Sequence, residues 1–524
     1  MYVRNGGNLV AFAPPGKMND VFGIKQSVGT IKSPYIWVDT TTKPGKGTIS
    51  KALQTHVDIN TCELTSAKAI ASFVSGKKSV CPAVTENNFG KGRSVAFLYN
   101  LPQNIIYTRQ GNPADASIEK DGITGIRAMD LFTNGWVDTL NNCINQADEQ
   151  MRLLTHCIQN MMSKRMPLPR LWYFPNKLSS LITLNNDGED TKEDEFNAQF
   201  HDVDAKAAKM SLYIKETDLV SREWTDKWQS KGFEISGHPD DTKQATNPDW
   251  ATMDSVYTDL LAKLGKRYGI TGMHTVVNHW FVWCGKNKNG DADFTAQAKL
   301  EEKHGVGLDA NYAHYDNGSD QGHFLGAMGT RQGNYTGSGL AMKFADDDGK
   351  ILDIYQHLNN VYDQQYMEHR DSTGFYNCFK GLLDRSMDNE VYSFVSIKAH
   401  NNEYFFSKTP LLQMLDYASL KNIPVWTEYK LLEFLRAKEN TVFNNMDWSN
   451  NQLSFEISSP IKFTESLTCM MPNTHNGISL SNVYVDGKET QYIVRKIKGT
   501  AYALFDIKPG NNYHVTVAYS KPVN

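Results

Sequence analysis

Residues 178–190 read LSSLITLNNDGED. A short apolar run rich in Leu and Ile passes into Asn, Asp and Gly, which is a buried strand ending in a polar turn. The same grammar recurs on either side of a series of helices. DAKAAKMSLYI (204–214) is a short helix running into a strand, and FEISGH (233–238) is a strand ending in Gly-His. WATMDSVYTDLLAKLGKRYG (250–269) has helical periodicity and stops at a glycine C-cap. TVVNHWFVW (275–283) and VYSFVSIKAH (391–400) are expected as strands. TPLLQMLDYASLKN (409–422) is expected as a helix, IPVWT (423–427) as a strand and EYKLLEFLRAK (428–438) as a helix. Strand–helix alternation over about 260 residues predicts an α/β fold, a parallel β/α barrel over residues 166–438.

The flanks read differently. Residues 1–165 alternate strands such as LVAFA (9–13) and SVAFLYN (94–100) with a helical stretch from Ala128 to Met162, where Leu131, Trp136, Leu140, Leu153 and Leu154 keep helix-like spacing. This is α/β material, expected as a flavodoxin-like domain. MPLPRLWYFPNK (166–177) is a proline-punctuated linker. From 439 to 524 short alternating strands, with a hairpin signal at VDGKE, predict a small β-sandwich. The N-terminus, MYVRNGGNLVAFAPP, lacks the apolar run of a signal peptide and reads as the middle of a fold.

At 524 residues the chain is long enough for about three domains. A net charge of −4 gives no pull toward nucleic acid or anionic membrane, so a neutral polar partner is expected. The 10 Trp and 24 Tyr supply aromatic surface for one, although most aromatics are expected in cores. Seven scattered Cys without a CxxC argue against a disulfide framework and against a zinc-finger module. No run of 18 apolar residues marks a membrane span. Walker, GxGxxG, HExxH and GxSxG motifs are absent.

In β/α barrels the chemistry lies where strands end. Asp187 follows LITLNN, His238 follows FEISG, His279 follows TVVN and His400 follows VSIKA. Taken singly, Asp187 reads equally as a loop cap, His238 as part of a Gly-His-Pro turn and His279 as a hydrogen-bonded core residue. Jointly, four strand ends carrying a carboxylate or an imidazole point to a divalent metal with open positions. Such a metal activates water and polarises a carbonyl. A neighbouring carboxylate serves as base and a histidine as acid.

The order of these segments resembles the polysaccharide deacetylase (NodB-homology) family over about residues 178–438. The family's Thr-Phe-Asp-Asp-Gly motif corresponds to Leu184-Asn185-Asn186-Asp187-Gly188. The resemblance implies that Asp187 binds metal and that Asn186 stands in place of the catalytic base. The second motif maps onto GFEISGH and supplies His238, with Thr242 where the family has a second His. The last motif maps onto His400, near the leaving group. Asparagine cannot take up a proton at neutral pH, so Asp190 is the candidate base. His279, or Asp241, is the candidate replacement for the missing ligand. The expected metal set is therefore Asp187, His238 and His279, with zinc the expected ion. The expected catalytic set is Asp190, His400 and Asn186. A segment at about 285–375 is expected as an insertion; its His314, His323, Asp346, Asp347 and Asp348 are further ligand candidates, the Asp run being the more ordinary solvated turn.

Residues 1–160 resemble the class I glutamine amidotransferase-like fold through YVRNGGNLVAF, residues 89–113 and QADEQMRLL (146–154), without a cysteine on a strand–helix elbow. That implies a structural, binding or homo-oligomerising domain. The domain set resembles secreted or surface proteins of bacteria, which implies a periplasmic or extracellular setting. The expected activity is hydrolysis of N- or O-acetyl groups on a polysaccharide. The alternatives are a carbohydrate-binding or scaffolding barrel without a base, and a hydrolase of another carbon–nitrogen or glycosidic bond.

Overall fold

The computed structural model describes residues 1–76, 78–120, 124–132, 136–137, 144–240, 247–313, 337–367, 370–388 and 391–521. Thr242, Asp241, His314, His323 and Leu140 lie outside the described residues. Two compact units form. One comprises Met1–Thr108, Gln146–Lys177 and Phe434–Asn524; the other comprises Arg109–Asn145 and Leu178–Glu433.

In the first unit, the strands read from LVAFA and SVAFLYN are neighbours: Asn8–Phe12 runs parallel to Gly92–Phe97. The sheet continues through Lys78–Phe89, Lys68–Ser75 and Tyr35–Val38, all antiparallel. Only one of its four pairings is therefore parallel, whereas doubly wound sheets are mostly parallel. The helical stretch expected from Ala128 appears as a 3-10 turn at Ala128–Phe132, in the second unit, and a helix at Gln146–Met162, in the first. The C-terminal strands form two antiparallel sheets. Gln452–Ser459, Asn511–Ser520 and Ile478–Val485 centre one, and Leu467–Pro472 with Thr500–Ile507 the other. Alternate residues such as Leu453, Phe455, Ile457, Val515 and Val517 are fully buried, the period-two pattern of a one-sided sheet.

The second unit is built on Leu181–Asp187. That strand pairs in parallel with Ser211–Ile214 and Val425–Trp426 on one side and with Phe394–His400 on the other. Glu234–Gly237 and Val361–Tyr362 extend the sheet at its two ends, also in parallel. A second sheet runs Thr275–Val276, Leu308–Ala313, Ile351–Asn359, with Met342–Ala345 antiparallel at the edge. Side chains bridge the two sheets. Ser236 Oγ donates to the Thr275 carbonyl at 2.8 Å, and Asn185 Nδ2 donates to Asn359 Oδ1 at 2.8 Å. Backbone pairing among the described residues thus gives two curled parallel-rich sheets rather than one closed ring. The segment expected as an insertion supplies much of the second sheet, including Ile351–Asn359. Its Asp run is a surface turn, with Asp347 and Asp348 exposed and Asp346 paired to Lys299.

Helices cover the outer faces. Trp250–Tyr268 ends, as its sequence predicts, at Gly269 in the left-handed region (φ 74°). One expectation changes: TVVNHWFVW is a strand only at Thr275–Val276. It then turns through a 3-10 segment at His279–Phe281, because Trp280 and Phe281 both take a φ of 55°. Among the described residues, no helix is long and apolar enough to cross a membrane.

Candidate metal and catalytic site

Successive side chains of a strand point to opposite faces, and this decides what Leu181–Asp187 contributes. Asn185 and Asp187 face inward. Asn185 Nδ2 donates to Glu428 Oε1 at 2.9 Å, and Asp187 meets Lys398 and His400. Asn186 faces outward and donates to Gln199 Oε1 at 2.5 Å, on the helix Glu193–Ala205. Asn186, expected at the position of a catalytic base, is therefore turned away from the site. Asp190, the candidate replacement, is exposed.

Gly188 follows Asp187. A Cβ there would lie 2.0 Å from Asp218 Oδ2, so only glycine lets the chain turn this closely. The turn returns Glu189 to the site. Glu189, His238 and His279 each offer a ligand atom, and these atoms lie within 4.8 Å of one another. Glu189 Oε2 is 3.3 Å from His279 Nε2, and Glu189 Oε1 is 3.8 Å from His238 Nε2. Glu189 was not among the expected ligands. Asp187 stands beside this trio, its Oδ2 3.5 Å from His238 Nε2.

The imidazoles are aimed from behind. His238 Nδ1 is 2.7 Å from the Val277 carbonyl, and His279 Nδ1 is 3.0 Å from Asp240 Oδ1. Each Nε2 is thereby left for the centre, and the buried His238 Nε2 has no hydrogen-bond partner. This is the arrangement that orients metal-binding histidines, and two imidazoles with one carboxylate are a zinc-type donor set. The residues present fit a divalent metal.

Charge is dense here. Lys215 reaches Glu189 at 3.4 Å and Asp240 at 3.1 Å. Burial acts to raise the Glu189 carboxyl, but the His238 and His279 imidazoles beside it hold it well below the usual carboxylate range. Burial acts to lower His279, yet Asp240 and Glu189 raise it to about 9. A metal entering here must displace that proton.

A second group adjoins the trio. Phe394–His400 pairs with the central strand so that His400 lies opposite Asp187. Lys398, two residues earlier, shares the inner face. Its Nζ is ion-paired with Asp187 at 2.5 Å, both side chains almost wholly buried. His400 Nε2 is 3.7 Å from Asp187 Oδ2, and His400 Nδ1 is 2.8 Å from Asp363 Oδ1. Burial opposes ionisation of Asp187, and His238, Lys398 and His400 more than offset it, so its pKa falls. Burial likewise disfavours charged His400, and Asp363 and then Asp187 raise its pKa. Asp187 is thus a carboxylate and His400 a proton carrier, within reach of one space.

No protein-family model and no curated protein matches the chain. Among solved structures, a putative polysaccharide deacetylase from Mycobacterium smegmatis is similar at 12% identity over 52% of this chain and 96% of its own, with a TM-score of 0.36. A mutant peptidoglycan deacetylase from Bacillus subtilis is similar at 12% identity over 50% of this chain and 93% of its own (TM-score 0.31). A β-galactosidase from Rahnella sp. is similar at 20% identity (TM-score 0.16); this chain spans only 17% of its length, and the match covers 18% of this chain. These are partial likenesses at TM-scores under 0.5.

Proposed function

We propose that this chain is a metal-dependent hydrolase that removes acetyl groups from a carbohydrate. The observation that carries the reading is the convergence of Glu189, His238 and His279 beside a buried Asp187–His400 pair. Glu189, His238 and His279 would hold the metal, zinc by the chemistry of the donors. A bound metal supplies Lewis acidity toward a carbonyl and lowers the pKa of water. Asp187 takes a proton from the attacking water. The water oxygen joins the acetyl carbon, the C–N or C–O bond to the sugar breaks, and His400 Nε2 delivers a proton to the departing nitrogen or oxygen. Asp363 holds His400 in the tautomer and orientation this needs, and Asp240 does the same for His279. Asp187 replaces both Asn186 and Asp190 as the base in this scheme.

Asn186 favours a second reading, a carbohydrate-binding protein without hydrolysis, because the residue in place of the family base faces Gln199. One experiment separates the two. Wild type, Glu189→Gln and His238→Ala are incubated with zinc, desalted and analysed for metal by mass spectrometry. Near one zinc per chain in wild type, lost in both variants, supports the hydrolase. An acetate-release screen then follows, in which Asp187→Asn and His400→Ala should each lower kcat by about 100-fold or more. Wild type that retains no metal would sink the hydrolase and leave the binding protein.

A further inference from the structure

His279 is followed by a residue with no part in the scheme above. Trp280 is 57% exposed, while the aromatics after it, Phe281 and Trp283, are 4% and 0% exposed. Its ring centroid is 5.4 Å from that of His279. The backbone at Trp280 and Phe281 is left-handed at two consecutive non-glycine residues, φ 55° at each. Bulky side chains avoid that region, and runs of it are rarer still.

The surroundings enforce the conformation. Arg127 Nε donates to the Trp280 carbonyl at 2.8 Å, and the same buried guanidinium donates to the carbonyls of Gly125 and Thr124. Asn278 Nδ2 donates to the Val282 carbonyl at 2.9 Å, and the Trp283 N–H donates to that of Ile126 at 2.8 Å. Inside the turn, Phe281 packs on Tyr362 at 5.6 Å. The fold thus accepts strain and leaves a large indole in water, both unfavourable for stability. Strain over-determined by its surroundings concentrates at functional sites.

We infer that Trp280 is a stacking platform for a pyranose ring, and so a specificity-determining residue for a glycan at this site. An indole offers an apolar face to the C–H face of a sugar while the sugar hydroxyls stay wet. The position beside His279 seats one ring of a polymer next to the candidate metal centre. The inference rests on the carbohydrate reading proposed above.

The test compares wild type, Trp280→Ala and Trp280→Phe, each zinc-loaded and each chelator-treated. Binding of the hexasaccharides of N-acetylglucosamine, xylose and glucose is measured by calorimetry, with acetate release from acetylated forms measured in parallel. The expected result is at least one hexasaccharide bound by wild type, with Kd raised roughly tenfold or more in Trp280→Ala. Trp280→Phe should stay within about threefold, and the loss should appear in KM rather than kcat. Equal affinity of wild type and Trp280→Ala overturns the inference, as does failure of wild type to bind any of the three. Trp280-dependent binding without zinc or acetate release would sink the hydrolase and keep the platform. Acetate release indifferent to Trp280 would do the reverse.

Discussion

The Lys398–Asp187 pair is the sharpest test of the site's electrostatics. Lys398→Met keeps most of the side-chain volume and removes the ammonium. Among the described residues, the Asp187 carboxylate, with a 4% exposed side chain, then keeps the imidazoles of His238 at 3.5 Å and His400 at 3.7 Å as neighbours. Breaking one partner of a buried ion pair costs about 3–5 kcal/mol. His400, whose pKa Asp363 and then Asp187 raise against burial, offsets part of the loss, so the low end, about 3 kcal/mol, is expected. Asp187→Asn leaves Lys398 buried in turn and should cost a similar amount. The double variant removes both charges, and should cost less than the sum by about 1–3 kcal/mol. The assay is urea unfolding of chelator-treated protein, read from the midpoint at constant slope. The pair also sets a pH signature. The folded pKa of Asp187 is depressed below its ordinary 3.8, so its contribution is present above that value and is lost as pH falls through the folded pKa. Wild type and Lys398→Met should therefore converge in acid. A loss under about 1 kcal/mol in Lys398→Met, or strict additivity in the double variant, would refute the account of a mutually dependent buried pair.

Two further outcomes follow from the packing around the site. Gly237 precedes His238, and a Cβ there would lie 2.3 Å from Met273 Sδ and 3.0 Å from the methyls of Leu260 and Leu264, so Gly237→Ala should cost about 1–3 kcal/mol in urea unfolding; an unchanged midpoint would mean that Met273 swings clear. Burial raises the Asp218 carboxyl to about 6, despite backbone N–H donors from Thr191 and Lys215. Its protonated form is favoured in the folded state, so its contribution is fully present below about pH 4 and lost as pH rises through 6. That is worth on the order of 3 kcal/mol, and Asp218→Asn should flatten the stability profile between pH 4 and 6 relative to wild type.

Much of the site's address was legible in the chain. Apolar runs ending in Asp187, His238 and His400 are strands, and parallel strands connected by helices bring their carboxyl ends to one side. Period-two alternation places Lys398 with His400, and Asp187 with Asn185, on the inner face, and it puts Asn186 outside. That alternation is legible in the sequence, and it separates the outward Asn186 from the inward Lys398.

Tertiary structure decided the rest. Glu189 enters the trio because Gly188 can approach Asp218 closely enough to turn the chain back, which is a fact about packing across 30 positions. Asp363 and Asp240 become partners of His400 and His279 through contacts between segments about 40 residues apart. No local periodicity encodes such a contact. Trp280 read as one aromatic among several, and only the left-handed turn pinned by Arg127 separates its exposed indole from the buried Trp283. Local sequence sets which face a side chain takes. Which charges meet on that face is set by register between distant strands, and that register is fixed only when the whole core closes.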